Sequence, residues 1–236
     1  MHGHQRFVSH IDILGMSALV SKDAELAWQL LSKLVEARNK VHATHITFID
    51  AAQTIAVPDQ IRSVTFSDTI LLFTKGVDLV DLRSILVVTT ELLSKALNLC
   101  VPIRVGISVG TFFFNLTESM YAGPALIEAY LIGEEAQWIG IVVSEEVHRR
   151  ATEAKMMSGK SEVVIKTDIP INEGTRQGYA VNWPAVLASS ISARLPVTAE
   201  QVYEGFRQYF GPYEQKPERV RSKYQNTASF INKRDA

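Results

Sequence analysis

The sequence predicts an α+β fold in which two helices cover one face of a mostly antiparallel sheet. Three observations predict it: two long segments have apolar residues at helical spacing, several short segments are rich in β-branched residues, and these segments alternate in the order βαββαββ. That order is typical of ferredoxin-like and polymerase palm domains. The chain has 236 residues, of which 47% are hydrophobic, so it can bury one substantial core. We therefore expect one main domain with appendages.

The first predicted element is a strand and the second is a helix. Residues 6–14 alternate and are rich in Val and Ile, which predicts a strand that ends at Ile11 or Asp12. Gly15 provides the turn that follows it. Across residues 21–41 apolar side chains recur at helical spacing, which predicts one long helix with an apolar face. That face must cover the sheet.

A hairpin and a second long helix come next. Ile61–Phe66 and Thr69–Thr74 are rich in β-branched and aromatic residues, which predicts two strands. Ser67 and Asp68 form the tight turn between them, so the hairpin carries an acid at its tip. Residues 80–99 have the apolar spacing of a second helix.

Shorter elements make up the rest of the chain. Two more strands are predicted at residues 103–109 and 111–115. Beyond them we predict a helix, a buried strand, a capped helix and two strands, in chain order at residues 124–137, 140–143, 144–150, 163–166 and 178–181. After Pro184 the pattern changes to helices. We therefore expect a main domain over residues 5–183 and a helical C-terminal extension, residues 184–236, packed on it.

Composition and charge exclude several classes of function. The 24 Lys and Arg residues balance 25 Asp and Glu residues, so no overall basic field draws the chain to nucleic acid or to anionic lipid. No apolar run is long enough to span a membrane, and no signal-like segment is present. The single Cys100 cannot form an internal disulfide, which suits a reducing compartment. We expect a cytoplasmic protein with no nucleic-acid and no membrane partner.

Two acids, Asp12 and Asp68, are the candidates for chemistry. Asp12 ends an otherwise apolar strand, where its burial costs free energy unless a cation or a donor meets it. Taken singly, Asp12 suits a helix cap and Asp68 a solvated turn. In a βαββ order, however, the first strand and the hairpin are neighbours, so both carboxylates can converge. Two adjacent carboxylates repel unless a divalent ion bridges them, and Mg²⁺ or Mn²⁺ prefers such ligands together with phosphates.

Three segments resemble the landmark motifs of class III nucleotidyl cyclases. They are His10-Ile-Asp-Ile-Leu-Gly15, Thr65-Phe-Ser-Asp-Thr69 and Ile103-Arg-Val-Gly-Ile-Ser-Val-Gly110. They occur in the family's order and at similar spacing, and the resemblance covers Phe7 to His148. Three ordered motifs are specific where any single one is weak. The resemblance implies the βαββαβ class III cyclase core.

The resemblance also implies the roles of the site residues. In that family the two Asp residues and the main-chain carbonyl after the first bind two divalent ions, Mn²⁺ or Mg²⁺. Asp12 and Asp68 then become catalytic residues, and Ile13 joins them as a metal ligand through its carbonyl group. The ions promote attack of the 3'-hydroxyl on the α-phosphate, and pyrophosphate leaves.

Four positions depart from the purine cyclases of this family. Those enzymes usually have a Lys, a Gly, an Asn and an Arg where this chain has Val64, Ser67, Ile127 and Leu131. The Lys reads the purine base, and the Asn and Arg stabilise the transition state. Their absence argues against an adenylate or guanylate cyclase.

A further segment resembles the pyrimidine cyclases of the bacterial Pycsar anti-phage system. It runs from Tyr121 to Tyr130 and contains Gly-Pro-Ala-x-x-Glu-Ala; Ser67-Asp68-Thr69 supports the same resemblance. The resemblance implies a homodimer with each site between subunits, and conversion of UTP to 3',5'-cyclic UMP and pyrophosphate upon phage infection. Cytidylate cyclase activity, from CTP to cyclic CMP, is the alternative. UTP is preferred only because it is the more frequent substrate in the family.

His10, Thr65 and Arg104 are the candidate substrate-binding residues. His10 lies where cyclases place an aromatic residue against the base, although a histidine in a core position is an equal alternative. Thr65 can donate to or accept from a pyrimidine. Arg104 can reach the substrate or the partner subunit, or it can be a surface arginine.

Additional charged residues have two interpretations each. Arg219, Arg221 and Lys223 offer cations to a triphosphate, but such a run is also typical of a solvated helix face. Glu128 can orient water or a metal, or it can be solvated.

Two other functions compete with cyclisation. One is a degenerate cyclase domain that binds nucleotide without chemistry, against which the retained acids argue. The other is a palm-type enzyme that joins nucleotides, against which the absence of a Gly-Gly-Asp-Glu-Phe hairpin argues.

Overall fold

The computed structural model describes residues 4–42, 45–48, 53–56, 60–190 and 195–233. The strands are β1 (His4–Ile13), β2 (His45–Phe48), β3 (Gln53–Ala56), β4 (Ile61–Phe66), β5 (Thr69–Thr74), β6 (Ile103–Asn115), β7 (Met120–Ala122), β8 (Gly140–Val143), β9 (Met157–Ser158), β10 (Ser161–Glu162), β11 (Val164–Ile171) and β12 (Gly174–Val181). The helices are α1 (Met16–Lys22), α2 (Ala24–His42), α3 (Leu79–Asn98), α4 (Pro124–Glu135), α5 (Glu145–Glu153), α6 (Trp183–Ser190), α7 (Ala199–Glu204), α8 (Arg207–Phe210), α9 (Glu218–Asn232) and the 3-10 helix Tyr213–Gln215.

One large sheet forms the centre of the fold. Its strand order is β11-β12-β8-β6-β1-β5-β4, and β7 pairs with β6. Every pairing along this order is antiparallel except that of β6 with β8, which is parallel. The two remaining strand pairs, β2–β3 and β9–β10, are small and separate. The predicted α+β fold with an antiparallel-dominated sheet is confirmed. As expected, β1 is a neighbour of the hairpin, and β6 lies on its other side.

Helices α2 and α3 cover one face of this sheet. Side chains of β1 and β5 such as Phe7, Ile11 and Leu72 are fully buried there, together with Leu34 of α2 and Ile85 of α3. The two long helices thus cover one face of the sheet, as the sequence predicts. It forms the main hydrophobic core, which continues under α5 and the C-terminal helices.

Helix α4 adds a layer on the opposite face, above β1 and β6. Its Ala125 and Ala129 pack with Val8 and other residues in a smaller buried cluster. The approach is close: a Cβ added at Gly106 of β6 would lie 1.9 Å from the carbonyl oxygen of Ala129. Gly133 of α4 faces the same contact, since its Cβ would lie 2.9 Å from the Gly106 nitrogen. Glycine at both positions allows the helix backbone to rest on the strand.

Several predicted elements have different boundaries in the structure. The strands predicted at residues 163–166 and 178–181, for example, are longer: β11 is Val164–Ile171 and β12 is Gly174–Val181. The helix predicted over residues 21–41 is preceded by α1, and Asp23 separates the two helices: its carboxylate accepts a hydrogen bond of 2.9 Å from the Leu26 N–H at the start of α2. The predicted strands 103–109 and 111–115 are one strand, β6. Gly110 does not break it because residues 103–112 of β6 pair continuously with β1.

The C-terminal helix α9 packs on the connection between α4 and β8. The Ile139 N–H donates to Thr227 Oγ1 over 2.9 Å, and Asn226 Nδ2 donates to the Gln137 carbonyl oxygen over 2.8 Å. Tyr224 is buried against other aromatic rings of the C-terminal segment. Because side chains from both segments share one core, the domain boundary after residue 183 stays a prediction. None of the helices in the described part of the chain has the length and apolarity needed to cross a membrane.

Candidate active site

Three adjacent strands bring together the acids that the sequence singled out. Asp12 at the end of β1 is paired in register with Thr69 of β5 on one side and with Arg104 of β6 on the other. The Ile13 N–H donates to the Asp68 carbonyl oxygen over 3.3 Å, which fixes the hairpin tip beside the end of β1. Asp68 therefore lies next to Asp12, as expected from the strand order.

The hairpin tip has an unusual backbone. Ser67 has a φ of 52°, in the left-handed region that non-glycine residues adopt rarely. The two strands on either side of it have the predicted bounds, with Phe66 paired to Thr69. A two-residue turn in this conformation keeps Asp68 directly against β1.

Arg104 forms two ion pairs at the site, with Asp12 and with Glu134. Its Nε donates to Asp12 Oδ2 over 2.9 Å, and its Nη1 donates to the Glu134 carbonyl oxygen over 2.8 Å. Nη2 also pairs with the Glu134 carboxylate. The side chains of Arg104 and Asp12 are only 11% and 20% exposed. Arg104 is thus not a solvated surface arginine, and it crosslinks the end of β1 to the end of α4.

His10 lies on the same face of β1 as Asp12, under α4. Its ring contacts the Tyr130 ring edge to face, with centroids 5.2 Å apart. Burial lowers the pKa of His10, an effect that the nearby Asp12 and Asp68 carboxylates partly oppose. The ring is therefore mainly neutral at neutral pH and offers one donor and one acceptor.

Thr65 is not brought together with His10. Its register partner is Ile70, whose side chain belongs to the core under α2 and α3. The Thr65 hydroxyl accepts a hydrogen bond of 2.7 Å from Nη1 of Arg38 on α2. Because side chains alternate along a strand, the predicted base contact points to the opposite face from Asp12. Its neighbour Val64 faces α4 instead.

The donor set around Asp12 suits a hard divalent cation. Two carboxylates and the Ile13 carbonyl group offer oxygen ligands only, which Mg²⁺ and Mn²⁺ prefer over softer metals. Within the described ranges no group of three or more His, Cys, Asp and Glu side chains is arranged as a metal site. The remaining ligands would have to be phosphate or water. A bound ion would also have to replace Arg104 as the partner of the Asp12 carboxylate.

Lys223 of α9 lies near the candidate site, and the sequence did not distinguish it from its neighbours. Burial lowers its pKa, as does Arg104, whereas Asp12 and Glu134 act in the opposite direction. The ammonium group is thus within electrostatic reach of the acids. Arg221, by contrast, pairs with Glu218 over 2.5 Å on the surface. Lys223 is four residues before Thr227, which accepts a hydrogen bond from the Ile139 N–H just before β8, and this helical spacing places both residues on one face of α9.

Exposed apolar side chains occur on α4 and beside the hairpin tip. Ile127, Tyr130 and Leu131 of α4 are 59%, 45% and 55% exposed, and Phe66 beside the hairpin tip is 82% exposed. The structure does not bring Glu128 to Asp12. Glu128 lines a separate cavity of about 360 Å³, and burial raises its pKa.

Comparisons with solved structures identify similar folds. The catalytic core of a rhodopsin-guanylyl cyclase with converted specificity, in complex with ATPαS, matches with a TM-score of 0.55 and 13% identity over 76% of this chain and 95% of that one. An adenylate/guanylate cyclase/hydrolase from Silicibacter pomeroyi matches with a TM-score of 0.48 and 16% identity over 77% and 98% of the two chains. A class III adenylyl cyclase-like ATP-binding protein from Pseudomonas aeruginosa matches with a TM-score of 0.43 and 13% identity over 62% and 34%.

The first of these likenesses, at 13% identity, concerns the fold. The TM-scores of the other two are below 0.5 and add nothing to it. No protein-family model and no curated protein sequence matches the chain. The chain therefore shares the fold of a guanylyl cyclase catalytic core.

Proposed function

We propose that this protein is a metal-dependent nucleotidyl cyclase that converts a nucleoside triphosphate into its 3',5'-cyclic monophosphate and pyrophosphate. The observation that carries the proposal is the placement of Asp12 at the end of β1 and of Asp68 at the tip of the adjoining hairpin, with Arg104 paired to Asp12, in a fold shared with a cyclase core. That core was solved with ATPαS, a nucleoside triphosphate analogue. The three ordered motifs support the same function.

Asp12, Asp68 and the Ile13 carbonyl group would hold the two divalent ions, Mn²⁺ or Mg²⁺. When bound, such ions activate the 3'-hydroxyl and stabilise charge on the leaving pyrophosphate. Asp12 must first exchange its partner, because Arg104 now donates to it. Arg104 is then available to donate to the phosphate chain while Glu134 keeps the guanidinium in place. After this exchange Asp12 is paired with the metal ions and Arg104 with the phosphate chain, so neither charge is left unpaired in the partly buried site.

The substrate is a pyrimidine triphosphate in this proposal, UTP in preference to CTP. Val64 and Ser67 stand where purine cyclases usually have a Lys and a Gly, and the segment from Tyr121 to Tyr130 supports the Pycsar resemblance. Neutral His10, held at the edge of Tyr130, can stack on the base or bond to its edge. Thr65 has no part in reading the base, since it faces Arg38. The cyclic UMP produced would serve as a messenger in anti-phage defence.

The active form in this proposal is a homodimer with sites at the subunit interface. Phe66, Ile127, Tyr130 and Leu131 are exposed apolar side chains on the face that carries Asp12. A second copy that covers them would remove apolar surface from water and would close the site. It would also bring in the groups that replace the missing transition-state Asn and Arg.

A nucleotide-binding domain without chemistry is the second candidate function. Ile127 and Leu131 occupy the positions of the transition-state groups, and both are apolar and exposed. In this case the chain would bind a metal–triphosphate complex and release it unchanged.

A product assay separates the two functions. The protein is incubated with each of the four nucleoside triphosphates and Mn²⁺, and cyclic nucleotides are quantified by mass spectrometry. We expect cyclic UMP from wild type and none from Asp12→Ala or Asp68→Ala. Absence of any cyclic nucleotide, with triphosphate affinity unchanged in both variants, would contradict the proposal.

A further inference from the structure

We propose that Lys223 of the C-terminal helix binds the phosphate chain of the substrate beside Arg104. The inference rests on the proposed function, because it assigns a residue to the triphosphate of that reaction. It gives α9 a role in substrate binding in addition to its packing on the core.

The docking of α9 fixes where Lys223 lies. Asn226 donates to the Gln137 carbonyl oxygen, and Thr227 accepts from the Ile139 N–H, so this helix face rests on the segment that follows α4. Lys223 is one turn before Thr227 and therefore on the same face. Its carbonyl oxygen accepts from the Thr227 hydroxyl over 2.7 Å.

The same connecting segment also holds Arg104. Arg104 is paired in register with Gly140 of β8 and donates to the Glu134 carbonyl oxygen. Arg104 thus contacts the two ends of this connection, and the helix that carries Lys223 rests on its middle. The ammonium group of Lys223 lies within electrostatic range of Arg104, Asp12 and Glu134.

A bound anion would stabilise the group formed by Lys223, Arg104, Asp12 and Glu134. Lys223 is partly buried, yet within the described ranges it has no carboxylate at ion-pair distance, whereas Arg104 has both Asp12 and Glu134. A partly buried ammonium group without a close partner costs free energy. Divalent ions would engage Asp12 and leave Arg104 and Lys223 with Glu134 alone. A phosphate chain supplies negative charge and acceptor oxygens for both cations.

The test measures binding of inorganic tripolyphosphate with Mn²⁺ by calorimetry, so that no base contact contributes. We expect Lys223→Met to weaken binding by about 10- to 100-fold, the effect of losing one charged hydrogen bond, and Lys223→Arg to retain it within about 3-fold. Lys233→Met is the matched control: it removes the lysine that caps the C-terminus of the same helix and pairs with Asp168, 3.8 Å away on the surface. It should bind like wild type.

Stability separates phosphate binding from a structural role. Because Lys223 has no close partner to lose, Lys223→Met should unfold at the same temperature as wild type or higher. An unchanged tripolyphosphate affinity in Lys223→Met overturns the proposal, and so does a loss of affinity that is accompanied by a lower unfolding temperature and is not rescued by Lys223→Arg.

Failure of the proposed function is a separate result. If tripolyphosphate binding depends on Lys223 but no nucleotide is cyclised, the assignment of Lys223 stands and cyclisation fails. If cyclic nucleotide forms and Lys223→Met keeps the KM of wild type, the assignment alone fails.

Discussion

The face of the central sheet under α2 and α3 is lined with fully buried side chains such as Phe7, Ile11 and Leu72, whereas the face under α4 leaves His10 and Asp12 partly open. The first face is a continuous apolar core, and the second has a small buried cluster, an ion pair and exposed apolar residues around them. A single strand, β1, contributes to both faces because its side chains alternate. Two side chains at odd positions of this strand, Phe7 and Ile11, thus belong to the main core. Those of His10 and Asp12, at even positions, belong to the proposed site.

The sharpest test of this division compares two adjacent leucines of β5. Leu72 is fully buried in the core under α2 and α3, and Leu71 belongs to the small cluster and is paired with His10. Leu72→Ala should lower the free energy of unfolding by about 4 kcal/mol, and Leu71→Ala by about 2 kcal/mol, because a shallow site can collapse around the lost atoms. Urea unfolding measures both values.

Leu71→Ala should change the KM for the nucleotide more than Leu72→Ala does, the opposite order to their effects on stability. Leu71→Ala loosens the surroundings of His10, so it should raise the KM for the nucleotide, while folded Leu72→Ala should keep the KM of wild type. Equal losses of stability together with equal KM values would remove the distinction between the faces.

Thr65→Val tests which face the hairpin presents to the substrate. The change removes the acceptor of the Arg38 hydrogen bond and should cost about 1 kcal/mol of stability. Cyclic nucleotide production should stay within about 2-fold of wild type, since the side chain is directed away from Asp12. A large rise in the KM for UTP would show instead that Thr65 contacts the substrate.

The smallest expected effect concerns a surface ion pair on α5. Hydrogen bonds from Arg149 and then from Arg150 lower the pKa of Glu146 to about 2, below its ordinary value of 4.5. Its contribution to stability is therefore present above pH 4.5 and is lost as the pH falls through about 2. Glu146→Gln should cost about 0.5 kcal/mol at pH 7, because the pair is exposed and screened by salt. If the free energy of unfolding of Glu146→Gln still differs from that of wild type at pH 2, the ion pair is not the cause of the difference.

Most strands and helices could be predicted because their patterns are local. The bounds of β4 and β5 follow from two β-branched runs around Ser67 and Asp68, and the shared sheet position of Asp12 and Asp68 follows from element order. Gly110 was predicted to separate two strands, but β6 continues through it. A glycine weakens an isolated strand, yet it is tolerated where the residues before and after it pair with a neighbouring strand, as β6 does with β1.

The rest of the site depends on contacts between distant segments. The orientation of Thr65 needed the register of β4 against β5, which no single segment encodes. The pairing of Arg104 with Asp12 and Glu134, and the placement of Lys223, needed the docking of α4 and α9 on the sheet. Composition and spacing identify such cations but do not say which of them face the acids.

The central claim is that Asp12 and Asp68 together hold divalent cations on the face under α4. Electron paramagnetic resonance of Mn²⁺, titrated with protein and tripolyphosphate, measures that binding without any catalytic step. Glu36→Gln, on the exposed side of α2, is the control and should match wild type. We predict that Asp12→Asn and Asp68→Asn each weaken Mn²⁺ binding by at least about 100-fold, since direct ligands contribute more than the groups that orient them. Binding of Mn²⁺ to both variants with the affinity of wild type would contradict the account.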